Sequence, residues 1–199
     1  MGRTLRYLFA MLCGAVPALA LFWCLYPLRR RRLRERGLCS SPCRETILAL
    51  FWMYCGGAAI LGLTPRWVVR SLAGLPLGMP WNPASLPVFS PGSVNLVPFR
   101  TFSDSVYILA ANVILFMPFG LFSALLWRNY SWKRALLTGA CITLFIESSQ
   151  LFIGRAFDID DLMLNILGVF CGFLLAPVFR RLLPRFTEKL LVSPLISSD

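Results

Sequence analysis

The sequence predicts an all-α membrane protein, built as a bundle of five transmembrane helices in a single domain over residues 1–199. Of the 199 residues, 57% are hydrophobic and only 15% are charged, and five apolar runs are long enough to cross a bilayer. A helix rises about 1.5 Å per residue, so about 20 residues cross about 30 Å of hydrocarbon. The runs are Tyr7 to Leu28, Thr46 to Pro65, Ser105 to Trp127, Ala135 to Gly154 and Leu162 to Phe179.

The first run is predicted to be a membrane helix that stays in the mature protein. A secretion signal carries its basic residues in front of a shorter apolar stretch, whereas here six arginines at positions 29–36 follow it. We therefore predict an N-terminal helix pair over residues 7–65, joined by an arginine-rich loop over residues 29–45.

Basic residues predict the orientation, because Lys and Arg concentrate in cytoplasmic loops. With the arginine-rich loop inside, 14 of the 20 basic residues are inside: seven at 29–44, three at 128–134 and four at 180–189. We therefore predict the N-terminus outside and the C-terminus inside. In a membrane chain the net charge of +11 favours contact with anionic lipid, and we expect no nucleic-acid partner.

Residue usage excludes several kinds of catalytic and metal site. The chain has no histidine, which excludes Ser-His-Asp and Cys-His nucleophile systems within it. Five of the seven cysteines lie in apolar runs, and Cys39 and Cys43 are predicted to form a reduced cytosolic pair. Zinc would need further ligands that are not visible nearby, so we expect no metal site and no cofactor. Carboxylates would suit Mg²⁺, but they do not imply it.

The connecting segments differ in length and composition. Short loops follow the third and fourth runs, which makes the flanking helices antiparallel neighbours. The outer segment from Arg66 to Asp104 contains six prolines and is apolar, so we expect it to lie at the membrane interface. Leucines alternate with basic residues at positions 182–191, which predicts an amphipathic interfacial helix. No internal repeat supports a symmetric transporter.

Polar side chains in three of the apolar runs predict a pocket in the outer leaflet. Counted from the outer boundaries, Asn112 and Glu147 both lie about 10 Å deep, and Gln150 and Asn165 lie nearer the surface. An ionised carboxylate in hydrocarbon is costly, so Glu147 is predicted to face a partner, a cavity or a substrate. The alternative is that the three amides only form hydrogen bonds between helices.

Glycine and proline positions predict how these helices pack. Gly168 and Gly172 form a G-x-x-x-G pattern on the same helical face as Asp161 and Asn165, which allows close approach of a neighbouring backbone. Pro118 is predicted to kink the third helix near Asn112, with Gly120 just beyond. Asp158 and Asp161 are predicted to cap the fifth helix, and Asp160 is predicted to be a surface charge.

Together these short motifs resemble the VanZ-like family of bacterial membrane proteins. They run in order as Asn95-Leu-Val-Pro98-Phe99, Asn112-x-x-x-Phe116-x-Pro118-Phe119-Gly120, Glu147-x-x-Gln150 and Arg155-x-x-Asp158-x-x-Asp161-x-x-x-Asn165-x-x-Gly168-x-x-x-Gly172. The resemblance places the family core at about residues 95–179. It implies a multi-pass protein of the bacterial cytoplasmic membrane with a role in the cell envelope. The founding member of the family is associated with low-level resistance to the glycopeptide teicoplanin, but the resemblance brings no reaction with it.

Three functions remain open from the sequence. In the first, the protein is not an enzyme, and the polar pocket binds an undecaprenyl-linked or glycopeptide-like ligand. The residues predicted to bind it are Asn95, Asn112, Glu147, Gln150, Arg155, Asp158, Asp161 and Asn165. In the second, a membrane enzyme acts on a lipid-linked cell-wall intermediate, with Glu147 as general base, Asp161 as partner acid or metal ligand and Arg155 holding a phosphate. The third, a proton-coupled transporter, ranks last because no polar residues continue to the inner face.

Overall fold

The computed structural model describes residues 3–64, 94–100, 106–153 and 155–195. This part of the chain contains five long helices, one short helix and two pairs of short strands. The helices are α1 (Arg3–Glu35), α2 (Pro42–Leu63), α3 (Val106–Leu126), α4 (Trp132–Phe152), α5 (Ile159–Leu182) and α6 (Pro184–Glu188). The strands are β1 (Leu38–Cys39), β2 (Val94–Asn95), β3 (Phe157–Asp158) and β4 (Ser193–Pro194). β1 pairs with β4 antiparallel, and β2 pairs with β3 parallel.

All five long helices in the described ranges are long and apolar enough to cross a membrane. The predicted class is therefore confirmed: the chain is an all-α, multi-pass membrane protein. The C-termini of α2 and α4 meet the N-termini of α3 and α5 at one end of the bundle, which we call the polar end. The C-termini of α1, α3 and α5 and the N-termini of α2 and α4 lie at the opposite end, which we call the basic end.

Two closely packed groups of helices make up the bundle. In the first, α1 crosses α2 where Gly14 faces the backbone of Gly56, and a side chain on either glycine would collide with the other helix. In the second, α3 packs along α5 and α5 packs against α4, while α2 makes sparser contacts with α3 and α4. The seam between the two groups therefore lies along α2.

Aromatic packing closes this seam at the basic end. The ring of Phe51 on α2 lies 5.5 Å from that of Phe119 and 5.6 Å from that of Phe122, both on α3. Phe22, Leu126 and Leu190 are fully or almost fully buried in the same cluster. Most of the large buried apolar side chains among the described residues belong to this cluster, so the other half of the seam is left for polar groups and a cavity.

The basic segment after the first apolar run differs from the predicted loop over 29–45. α1 continues without interruption to Glu35, so five of the six arginines lie on the helix. Arginine is a good helix former, so the helix continues through this segment. It ends at Glu35, and Gly37, two residues later, adopts a left-handed conformation with φ of 65°. Ser41 then begins α2, because its side chain accepts a hydrogen bond from the backbone N–H of Arg44 at 3.0 Å.

The tail after α5 also differs from the predicted amphipathic interfacial helix. The helix ends at Leu182, and Pro184 starts a separate helix, α6, of only five residues. Leu190 is fully buried in the core, and β4 pairs with β1. The alternating leucines predict one apolar helix face toward the membrane. Pro184 interrupts the helix, and Leu190 therefore points into the core. The tail is therefore part of the packed basic end.

Candidate functional site

A cavity of about 350 Å³ opens in the seam at the polar end, between α2, α3, α4 and α5. Its polar lining consists of Tyr54, Asn112, Glu147, Gln150, Arg155, Asp161 and Asn165. Most of its remaining lining is apolar: Ala58, Ala59, Leu61, Leu63, Leu115, Phe116, Phe119, Ile142, Phe145 and Ile146. Six of the eight residues predicted to bind a ligand therefore share one cavity.

Glu147 is one of the most deeply buried charged residues in the described part of the chain, with 1% of its surface exposed. Its carboxylate Oε2 accepts a hydrogen bond from the backbone N–H of Asp158 at 3.3 Å. A buried carboxylate needs such donors, because burial without them costs several kcal/mol. This single donor leaves acceptor capacity on the carboxylate, which can take up to about four hydrogen bonds.

Two amides hold the neighbouring polar wall. Asn112 on α3 donates through Nδ2 to Oδ1 of Asp161 on α5. Asn165, one turn further along α5, donates through Nδ2 to Thr143 Oγ1 on α4 at 2.9 Å. Asn165 is 4% exposed, and its Oδ1 has no hydrogen-bond partner among the described residues. An unmatched buried acceptor in a cavity wall is a position where a donor from a ligand or water would be stabilised.

The last two polar residues tie the seam together. Gln150 Nε2 donates to the carbonyl of Gly62 at 3.3 Å, and Arg155 Nη1 donates to the carbonyl of Leu61 at 2.7 Å. These carbonyls belong to the last turn of α2, where helical carbonyls lack internal partners and a cation is favourable. Arg155 therefore helps to join α2 to the connection between α4 and α5. A phosphate held by Arg155, as in the predicted enzyme, would have to compete with this contact for Nη1.

The remaining predicted residues lie beside the cavity and do not line it. Asn95 Nδ2 donates to Asp158 Oδ1 at 3.1 Å, and the same carboxylate oxygen accepts the backbone N–H of Asp160 at 2.9 Å. Asp158 is thus the N-cap of α5, as predicted. Asn95 Oδ1 also accepts the N–H of Val97 at 3.3 Å and shapes the turn that leads to Pro98. Asn95 and Asp158 therefore hold the segment 94–100 against the start of α5.

Two predictions about the acidic residues on α5 are wrong. Asp160 is fully buried, and its Oδ1 accepts the backbone N–H of Phe99 at 2.6 Å, so it is not a surface charge. Asp161 does not cap the helix, because its side chain is turned to Asn112. α5 begins three residues before the predicted run, which places both carboxylates in its first turn rather than in a solvated loop.

The glycines predicted to be structural bring α3 and α5 close together. A side chain at Gly172 would collide with the carbonyl of Met117, and one at Gly168 with the carbonyl of Val113. A side chain at Gly120 would in turn collide with the carbonyl of Val169. α3 remains helical through Pro118. This close approach places Asn112 beside Asp161.

Sequence reasoning missed Thr143 and Tyr54. Thr143 is fully buried and accepts from Asn165, and it could have been found from its spacing, since Thr143, Glu147 and Gln150 share one face of α4. Tyr54 donates through its hydroxyl to the carbonyl of Leu115 across the seam. Nothing in the apolar run of α2 pointed to that contact, because it depends on how the two groups of helices meet.

On α3 and α4, apolar lining residues lie further from the polar end than Asn112 and Glu147 do. Phe119 lies seven residues beyond Asn112 on α3, or about 10 Å further from the polar end. Ile142 lies five residues before Glu147 on α4, also further from that end. Phe145 borders the cavity and is 64% exposed, which places one edge of the cavity at the lateral surface of the bundle.

The described residues include no group of three or more His, Cys, Asp or Glu placed to hold a metal ion. Glu147 and Asp161 are the two carboxylates that line the cavity, and Arg155 is the guanidinium that lines it. The lining therefore combines the acceptor oxygens of two carboxylates with the N–H donors of one guanidinium, whose Nη1 contacts α2.

A family model supplies the relationship to known proteins. The model of the VanZ/LLP1 family matches residues 47–180, about two thirds of the chain. The chain belongs to the VanZ/LLP1 family. No curated protein and no solved structure matches it.

The range matched by the family model contains the whole lining of the cavity. It begins within α2, well before the core predicted at about 95–179, and it ends near the end of α5. Every residue that lines the cavity lies between Tyr54 and Asn165, inside the matched range. The cavity is therefore built from the VanZ/LLP1 part of the chain, whereas α1 lies outside the match.

Proposed function

We propose that this protein binds an amphiphilic, lipid-linked or glycopeptide-like ligand in the cavity at the polar end of the bundle. The observation that carries the proposal is the joining of an acceptor-rich polar end to an apolar stretch within one cavity. Most buried polar groups in folded proteins have a hydrogen-bond partner, so the unmatched Oδ1 of Asn165 beside a cavity of about 350 Å³ supports a ligand-binding role. The apolar part is suited to an acyl or prenyl chain, which would enter from the side at Phe145.

The donors and acceptors in the cavity indicate which kind of ligand head group would fit there. Glu147, Asp161 and Asn165 Oδ1 offer acceptors, and Arg155, the cation beside them, donates through Nη1 to α2. A bare phosphate would meet two carboxylates, and like charges in a poorly solvated site repel strongly. Hydroxyl, amide or amine donors, such as those of a sugar or peptide, fit these acceptors. We therefore favour recognition of the sugar or peptide part of a lipid-linked cell-wall molecule or glycopeptide over recognition of its phosphate.

The setting of the protein is also part of the proposal. We place it in a bacterial cytoplasmic membrane as a component of the cell envelope, with the polar end outside and the basic end inside. Arginines at the basic end of α1 favour the cytoplasmic side, where Lys and Arg concentrate. An outward-facing cavity would meet cell-wall intermediates and glycopeptide antibiotics. Ligand binding there would explain how a protein of this kind could contribute to low-level teicoplanin resistance, as associated with the founding member of the family.

Orientation is tested with reporter fusions. A reporter joined after Gly37 or after Asn129, both at the basic end, is expected to read cytoplasmic, and one joined near Ser90 is expected to read external. Ser90 lies outside the described residues and is used only as a position in the sequence. An external signal after Gly37 would reverse the orientation and place the cavity on the cytoplasmic side.

Ligand binding is tested by filling the cavity. Ala58→Phe on α2 adds a ring to the cavity wall, and we expect loss of co-purified lipid-linked material detected by native mass spectrometry, together with loss of any protection against teicoplanin. The matched control is Ala110→Phe on the exposed face of α3, away from the cavity. Equal retention of lipid-linked material by both variants would contradict a ligand in this cavity.

A membrane enzyme acting on a lipid-linked cell-wall intermediate is the second candidate. It is favoured by one observation, the presence of both Glu147 and Asp161 in the wall of a single cavity. Two carboxylates can divide general-base and general-acid roles. Incubation of the purified protein with an undecaprenyl-linked intermediate, followed by chromatography, distinguishes the candidates: a new product supports the enzyme, and unchanged material bound to the protein supports the binding role.

A further inference from the structure

A second cavity, of about 490 Å³, lies at the basic end, where α1 ends and α2 begins. We call it the basic cavity. It is lined by residues of α1, β1 and the start of α2, among them Trp23, Tyr26, Arg30, Arg34, Ser40 and Glu45. All of its lining residues lie before residue 47 or after residue 180, outside the range matched by the family model. The basic cavity therefore lies outside the part of the chain that defines the family match.

Charge pairing around the basic cavity leaves two arginines without a carboxylate. Arg29 is paired with Glu45, and Arg31 is paired with Glu35 at 3.0 Å. Within the described ranges, Arg30 and Arg34 form no salt bridge. They lie four residues apart, so they project from one face of α1, and both line the basic cavity.

Nearby groups add to the positive potential. Glu45 is shared by Arg29 and Arg44, whose Nη1 lies 4.0 Å from its carboxylate, so two cations face one anion in the wall. Arg44 is 6% exposed, and its Nε has no hydrogen-bond partner among the described residues. Arg29 is further held over the ring of Phe22 at 4.3 Å. These arginines are fixed within the fold, which leaves Arg30 and Arg34 available to an incoming anion.

The aromatic residues of the same helix face indicate what kind of anion fits. Trp23, Tyr26, Arg30 and Arg34 follow one another at helical spacing, with the aromatic pair on the side toward the middle of the membrane. Trp23 is 54% exposed. Tryptophan and tyrosine favour the boundary between hydrocarbon and head groups, and arginine binds phosphate with two hydrogen bonds at once. The stripe therefore matches a molecule with a phosphate next to an apolar chain.

We propose that Arg30 and Arg34 bind the phosphate of an anionic membrane lipid in the basic cavity, with its acyl chain along Trp23 and Tyr26. The inference is independent of the ligand in the cavity at the polar end. A phosphate could also come from a soluble anion, but a soluble anion would make no use of the exposed aromatic residues. The bound lipid would hold the end of α1 at the membrane surface, and its phosphate would neutralise Arg30 and Arg34, which form no salt bridge within the described ranges.

The test measures lipid binding to the full-length protein in detergent by native mass spectrometry, with phosphatidylglycerol, phosphatidylcholine and inorganic phosphate as probes. The variant is Arg30→Gln with Arg34→Gln. Its matched control is Arg32→Gln with Arg36→Gln, which removes the same charge from exposed residues outside the cavity lining. We expect phosphatidylglycerol to bind the first variant about 10- to 100-fold more weakly than the wild type, because two charge-assisted contacts are lost. The control should bind it nearly as the wild type does.

Three results would overturn the proposal. An equal loss in the control would show that lipid follows net charge rather than the basic cavity. Equal binding of phosphatidylcholine would remove the preference for an anionic lipid, and complete displacement of phosphatidylglycerol by inorganic phosphate would indicate a site for a soluble anion. If the double variant does not accumulate, Arg34→Gln compared with Arg36→Gln tests the same contrast on single exposed residues, with a smaller loss expected in the same direction.

Discussion

Gly172→Ala is expected to destabilise the bundle strongly, by about 2–3 kcal/mol in the free energy of unfolding. The added methyl group would collide with the backbone carbonyl of Met117, and a backbone atom cannot rotate away as a side chain does. α3 and α5 would have to separate, which would also break the pairing of Asn112 with Asp161. The measurement is the thermal unfolding midpoint of the purified protein in detergent, with abundance in the membrane as a second readout.

Gly139→Ala is the matched control for this prediction, because it makes the same chemical change on α4. There the added methyl group would lie 3.3 Å from Cβ of Val169 and 3.4 Å from its Cγ2. At that distance the helices need to shift by only a few tenths of an ångström, far less than at Gly172, so we expect a much smaller fall in the unfolding midpoint. Similar falls in the two variants would mean that the close approach of α3 and α5 does not dominate the stability of the bundle.

Glu147→Gln is expected to weaken ligand binding by about 10- to 100-fold while leaving membrane abundance near that of the wild type. The glutamine carbonyl can still accept the N–H of Asp158, so the local fold has little reason to change. The other carboxylate oxygen is replaced by an amide nitrogen, which is a donor where the ligand also presents donors. The measurement is retention of lipid-linked material through purification, compared with teicoplanin susceptibility of cells that express the variant.

Ser149→Ala is the matched control on the same helix. Ser149 Oγ donates to the carbonyl of Phe145 and does not line the cavity, so its removal should leave ligand retention unchanged. Full retention of ligand by Glu147→Gln at normal abundance would contradict both a role for the carboxylate in binding and a role as general base. The cavity would then act through its shape and its neutral groups.

The sequence by itself determined the class of protein, the number of membrane helices and the family. These conclusions depend on local properties: an apolar run of sufficient length must become a helix in hydrocarbon, because each backbone group needs a partner within its own segment. The sequence also identified Asn112, Glu147, Gln150 and Asn165, because a polar residue in an apolar run is conspicuous. Asp158 as the N-cap of α5 followed from its place just before that run.

Only the tertiary structure decided which of these residues share a cavity and which hold the fold. The sequence predicts that Asn95 binds a ligand like Asn165 and that Asp160 is a surface charge, yet both secure the segment 94–100 to the start of α5. Arg155 and Gln150 donate to the last turn of α2, a partner about 90 residues away in the chain. The cavity lies where the aromatic contacts of Phe51 with α3 give way, toward the polar end, to a gap between α2 and the other helices. This arrangement arises from contacts between distant segments, and local spacing along one helix does not encode it.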